Sequence, residues 1–141
     1  MNGERDAAYR LQDQIGFILR KAHQRHVAIF ASKIGDLTPP QFAALAMLAE
    51  VGETSQNQLG QLIAMDAATT KGVVDRLKAK GSVNVKADPT DKRRLLVALT
   101  TDGRRTFDEL RPLAQQISAT TLEPLSRKDA DQLIRLLSKI A

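Results

Sequence analysis

The hydrophobic period of this chain changes twice. Up to Gly81 the apolar residues recur every three or four positions, the spacing of helices with one buried face. Val83, Val85 and Ala87 then alternate with polar residues, and so do Leu95, Val97 and Leu99. That is the spacing of half-buried strands. From Thr100 onward the helical spacing returns. The two alternating runs flank DPTDKR, whose Pro and Asp residues favour a turn, so a β-hairpin is predicted between helical segments.

The helices have legible ends. Residues 9–34 carry Leu11, Ile15, Ile18, Leu19, Ala22, Ile29 and Phe30 at helical spacing, and Gly35-Asp36 stops them. In LTPPQF, Thr38 is an N-cap, Pro39 suits the first helical position and Gln41 completes a capping box. Leu37 and Phe42 flank it at staple positions, and the helix is predicted to run to Val51-Gly52. Ser55 opens a short third helix with Leu59, Leu62 and Ile63 inside, ending near Ala64-Met65. Asp66 caps a fourth, with Thr70, Val73, Val74 and Leu77 as its inner face and Gly81 as its stop. Thr100 caps a fifth helix bearing Phe107, Leu110, Ala114, Ile117 and Thr121, with a bend expected at Pro112. Ser126 starts the last one, which carries Leu133, Ile134, Leu137 and Ile140. The predicted fold class is mainly α with a small β-hairpin.

Charge is concentrated. Between Lys71 and Arg94 lie eight Lys or Arg against three Asp, so this segment carries the whole net charge of +5. A local excess of that size favours a polyanionic partner. Helix, turn, helix and hairpin in that order make a winged helix-turn-helix, whose second helix enters the major groove. Residues 37–100 are predicted to form this module. At the start of the fourth helix, Ala67, Ala68 and Thr69 are small enough to sit deep in a groove, where an alanine or threonine methyl can meet a thymine methyl. Lys71 can reach a base edge or a phosphate, while Arg76 and Lys78 suit phosphates. Ser55 and Gln56, at the start of the preceding helix, complete the predicted DNA-facing set. At the hairpin tip Lys92, Arg93 and Arg94 would meet the adjacent minor groove or its phosphates, with Asp91 holding an arginine and shaping the turn. The alternative for this tip is a solvated charged turn, and for Ala67-Ala68 simple helix propensity.

The stretches LTPPQFAAL and SQNQLGQLIAMDAATTKGVVDRLKAKG, with Asp91-x-Arg93 followed by Leu99-Thr100-x-x-Gly103, resemble the MarR family of bacterial transcription regulators. The resemblance runs over nearly the whole chain. Ser82 departs from it, standing where the family often has a bulky apolar residue. The resemblance implies one domain over 1–141 and a homodimer joined through terminal helices at 9–35 and 101–141. It implies a regulator, of repressor type, released from DNA by a small effector. The terminal helices carry apolar stripes that a small winged module cannot cover, which independently favours a dimer. Two recognition helices reading a palindrome must sit ~34–36 Å apart, so the expected operator is an inverted repeat of roughly 16–20 bp.

Relatives in this family commonly bind aromatic acids or phenols between the dimerisation helices and the winged module. In GFILRKAHQRHVAIF, Arg20, His23 and His26 recur every three residues, with Phe17 and Phe30 along the same helix. Such a set can receive a carboxylate and its ring; a solvated or inter-subunit face is the alternative. Two histidines without a neighbouring acid or thiol make an incomplete metal set, and no metal or cofactor is predicted. The chain has no cysteine, which excludes thiol nucleophiles, disulfides and thiol redox sensing. No phosphate loop or nucleophile elbow is present, so no enzyme activity is predicted. A charged N-terminus and the lack of a ~20-residue apolar run predict a cytoplasmic, nucleoid-associated protein without membrane contact. A winged domain used only for protein contacts is the competing function; it would require an apolar fourth helix, and Thr69, Lys71, Asp75, Arg76 and Lys78 make that face polar.

Overall fold

The computed structural model describes residues 8–141. A 3₁₀ turn at Leu11–Asp13 precedes α1 (Ile15–Lys33), followed by α2 (Pro39–Val51), β1 (Thr54–Ser55), α3 (Gln56–Leu62) and α4 (Ala67–Ala79). Strands β2 (Val83–Ala87) and β3 (Leu95–Leu99), then α5 (Thr101–Leu122) and α6 (Arg127–Ile140), complete the chain. The sheet is antiparallel in the order β1-β3-β2. In the hairpin Val83 faces Leu99 and Val85 faces Val97, as the alternation requires.

Local chemistry accounts for the helix starts. Thr38 Oγ1 accepts from the Gln41 N–H while Gln41 Oε1 accepts from the Thr38 N–H, closing the capping box ahead of two prolines. Ser55, Asp66, Thr100 and Ser126 each accept one N–H from three residues further on. Each such cap is worth about 1 kcal/mol. The α3 and α4 helices pack through Gly60. A Cβ there would lie 2.7 Å from Thr70 Oγ1, whose hydroxyl donates to the Asp66 carbonyl.

Three expectations need correction. The first helix begins at Ile15, not near residue 9. Gln14 is extended and bonds back through its N–H to Leu11 and through its side chain to Arg10, so Leu11 belongs to a separate turn. The α3 helix ends at Leu62 because Ala64 adopts the left-handed region, φ 59°. The hairpin also gains a third strand, β1, in which Thr54 pairs with Val97 and Ser55 with Leu96. Helix α5 runs unbroken through Pro112, from Thr101 to Leu122.

The core joins all parts of the winged module to the long helices. Leu45 and Leu48 from α2, Leu59 from α3, Val74 and Leu77 from α4, and Val97 from β3 are fully buried. Phe30 from α1 and Ile117 from α5 close it. Fully burying one such side chain contributes about 1.5–3 kcal/mol. The last helix differs. No residue of α6 is buried, and Leu133, Ile134, Leu136 and Ile140 stand exposed, as do Leu11, Ile15, Ile18 and Leu19 near α1.

Candidate nucleic-acid interface and effector cleft

The outer face of α4 is polar and basic. Ala67, Ala68, Thr69, Lys71, Arg76 and Lys78 are exposed, while Thr70, Val73, Val74 and Leu77 hold the helix to the core. Its N-terminus is fixed by Asp66, whose carboxylate accepts from the Thr69 N–H at 2.7 Å. That hydrogen bond holds the Asp66 carboxyl below its usual range. Lys71 Nζ lies 2.8 Å from Asp75 Oδ2. Gln56 is half-buried and lines a surface cleft of about 260 Å³ with Asn57, Gln61 and Ala67. Ser55 differs from the expectation: it is buried, with its hydroxyl accepting from the Gln58 N–H.

The hairpin tip is a built turn. Asp88 Oδ1 accepts from the Thr90 N–H at 2.9 Å and from the Thr90 hydroxyl at 2.8 Å. The Asp88 N–H donates to the Arg94 carbonyl, and the Arg94 N–H to the Asp91 carbonyl. Chiefly through the Thr90 N–H, and also through the Thr90 hydroxyl and the Arg94 charge, the Asp88 carboxyl is held below its usual range. The bracing role predicted for Asp91 is thus divided. Asp91 accepts from the backbone N–H of Arg93, not from a guanidinium. The carboxylate facing an arginine side chain is the buried Asp88, 4.0 Å from Arg94 Nε. Lys92, Arg93 and Arg94 are exposed, and among the described residues Lys92 and Arg93 have no acidic partner. Asp88 was missed from sequence, although Asp-Pro-Thr is an Asx-turn pattern.

A tight junction carries the wing onto α5. Thr100 donates its N–H to the Ser82 carbonyl and its hydroxyl to the Gly81 carbonyl. A Cβ on Gly103 would lie 1.9 Å from the Ser82 carbonyl oxygen, so the spacing Leu99-Thr100-x-x-Gly103 follows from close backbone approach. Ser82 itself is buried, with its N–H on the Leu77 carbonyl. The corner closes through backbone bonds where a larger side chain was expected.

The predicted effector residues separate. His26 and Phe30 border a cleft of about 120 Å³ with Phe42, Ala114, Ile117 and Ser118. Phe30 meets Phe42 edge-on at 6.2 Å, and Phe42 lies 6.0 Å from Phe107. His23 and His26 border a second, mostly apolar groove of about 370 Å³ between α1, the end of α5 and α6. Phe17 and Arg20 line neither; Phe17 sits under the Arg20 and Lys21 charges, 5.8 and 5.6 Å from its ring centre. The 13-position step from Phe17 to Phe30 places them about 140° apart on a helix, so they cannot share a face. Arg25, not singled out from sequence, donates to the Thr120 and Thr121 carbonyls at 3.0 and 2.7 Å. His26 Nδ1 lies 2.8 Å from Thr121 Oγ1. Together they pin α1 to the end of α5. Among the described residues no three His, Cys, Asp or Glu gather as a metal set, and no helix is long and apolar enough to cross a membrane.

These features match known proteins. A family model described as the MarR family matches residues 35–94. The chain is 40% identical over 134 residues to the HTH-type transcriptional repressor NicR of Pseudomonas putida, covering 94% of this chain and 85% of NicR. A probable transcriptional regulator from Pseudomonas aeruginosa is 52% identical, with a TM-score of 0.89 over 94% of this chain and all of that one. Bordetella bronchiseptica BpsR, whose DNA binding is regulated by 6-hydroxynicotinic acid, is 40% identical, with a TM-score of 0.90 over 94% and 96% of the two chains. With its winged helix-turn-helix, its basic face and these relatives, the chain belongs to the MarR family of transcriptional regulators.

Proposed function

We propose that this regulator acts as a homodimeric repressor on an inverted-repeat operator and leaves it when a small aromatic acid or phenol binds. The observation that carries the reading is the basic strip formed by Arg76 and Lys78 on α4 and Lys92, Arg93 and Arg94 on the wing, all exposed beside small groove-facing residues. Phosphates neutralised by this strip would each release about 0.9 of a counterion, so affinity should fall steeply with salt. The uncovered apolar residues of α6 and α1 support the dimer, because a second copy is the simplest cover for two such stripes.

Support for an aromatic effector comes from the Phe30–Phe42 edge contact beside His26 and Ser118. Here an apolar wall and two polar groups converge, the composition of a small-ligand site. BpsR, similar over almost the whole chain, is named with a hydroxylated pyridine carboxylic acid. The test uses fluorescence anisotropy on a duplex covering the region upstream of the protein's own gene. Binding should weaken about 10³-fold or more between 50 and 200 mM salt if six or more phosphates are contacted. Added 6-hydroxynicotinic acid or a related aromatic acid should release the duplex. Absence of binding even at low salt would refute the reading; binding untouched by any aromatic acid would refute only its effector part.

A further inference from the structure

We propose that Lys71 and Asp75 act together as one reading unit that recognises a G·C base pair in each operator half-site. This rests on the reading of α4 as the helix that enters the major groove. The buried stripe Thr70, Val73, Val74 and Leu77 fixes which side of α4 faces outward. At about 100° per residue, Ala68, Gly72 and Asp75 lie opposite that stripe, with Lys71 beside them. Ala68 and Gly72 add almost no bulk, so Lys71 and Asp75 are the groups there long enough to touch base edges.

A carboxylate at this position demands a reason. Phosphates surround the groove, and a buried charge without a partner is costly. The carboxylate is tolerated where it accepts a hydrogen bond, and the donors in the major groove are cytosine N4 and adenine N6. Lys71 Nζ stands 2.8 Å from Asp75 Oδ2, so a cation sits directly beside the acceptor. A G·C pair offers the complementary order, with guanine O6 and N7 as acceptors next to the cytosine N4 donor. The ammonium has three donors and the carboxylate about four lone-pair sites, so each can keep the other while contacting a base. Both side chains are well exposed, 67% and 58%, so the pair is weak in free protein and reorients readily. Arg76 and Lys78 flank the unit and suit phosphates, leaving the base edge to Lys71 and Asp75.

The test selects binding sites from a library of randomised duplexes with the wild-type chain, then measures competition at fixed salt. Wild type should prefer G·C to A·T at one pair in each half-site by about tenfold. Lys71→Met and Asp75→Asn should each lower discrimination at that same pair to twofold or less. Asp75→Asn should move toward adenine, the base that asparagine reads. The double variant should be no worse than either single one, since the two act as a unit. Unchanged helical circular dichroism would confirm that all variants are folded. The proposal is overturned if the variants act at different base pairs, if wild type prefers A·T there, or if Lys71→Met weakens every duplex equally and lowers the salt slope by about one. The operator reading beneath it falls instead if wild type binds all duplexes alike.

Discussion

Replacing Gly103 with alanine should damage this protein, although helix propensity alone says otherwise. Gly103 lies in the first turn of α5, where alanine is favoured over glycine by up to about 1 kcal/mol. The added Cβ would meet the Ser82 carbonyl oxygen at 1.9 Å and the Ser82 carbonyl carbon at 2.9 Å. Both are backbone atoms, so no rotamer relieves the overlap. Restoring an ordinary carbon–oxygen contact of about 3.3 Å requires α5 to retreat by about 1.4 Å. That retreat stretches the Thr100 N–H bond to Ser82, now 3.1 Å, beyond hydrogen-bonding range, and strains the Thr100 hydroxyl bond to Gly81, now 2.6 Å. One bond lost and one weakened, together about 1–2 kcal/mol, with overpacking of about 1–3 kcal/mol, outweigh the propensity gain and leave about 3 kcal/mol of destabilisation. For a chain of this size the melting temperature should fall by about 10 °C, followed by circular dichroism at 222 nm. Gly72→Ala supplies the opposite sign: its Cβ would meet nothing within 4 Å, so the melting temperature should rise by a few degrees. A Gly103→Ala variant as stable as wild type, or more so, would refute the steric account of the junction.

Four further outcomes are expected. Ala64→Gly should stabilise the protein by up to about 1 kcal/mol in thermal unfolding, because Ala64 alone among the described non-glycine residues has a positive φ; a loss of stability would contradict the strain. The depressed Asp66 and Asp88 carboxyls give stability that is complete above the unfolded value near 3.8 and disappears as pH falls through their lower folded values. The melting advantage of wild type over Asp88→Asn should therefore shrink below pH 3.8, and a constant gap from pH 6 to about 2.5 would count against it. Ile134→Glu, on the uncovered face of α6, should shift the mass seen by light scattering toward the monomer; an unchanged dimer would place the interface elsewhere. Arg93→Ala should weaken binding to all duplexes about equally and lower the salt slope by about one, whereas an unchanged slope would deny Arg93 a phosphate or minor-groove role.

The elements that could be read from sequence are those whose determinants lie within a few residues of one another. Thr38 and Gln41 close a box over three positions, and the alternation of Val83, Val85, Leu95, Val97 and Leu99 sets both the hairpin and its register. Long-range determinants left no such trace. The β1 strand is two residues long and carries no period; only its pairing with Leu96 and Val97 makes it a strand. Arg25 looks like any exposed arginine until the fold brings α5's terminal carbonyls to it from 95 residues away. The candidate effector residues were misgrouped for a different reason. Each three-residue step falls about 60° short of a full turn, so His23 stays near His26 while Arg20 drifts about 120° from it, and Phe17 and Phe30 diverge further. Ser55 illustrates a conflict of roles, since a residue that caps a helix from a buried position has its oxygen already engaged.

The α5 helix is gripped at its start by Gly103 on Ser82 and at its end by Arg25 and His26. Its 22 residues make a rod about 33 Å long, so a rotation about one gripped end is delivered to the other. A tilt of about 5° at the histidine end would displace the wing end by about 3 Å. That is close to the ~3.4 Å rise of one nucleotide step along a DNA strand. If the wing meets DNA as proposed, a small change at the Phe30–His26 cleft would therefore shift it by about one nucleotide step.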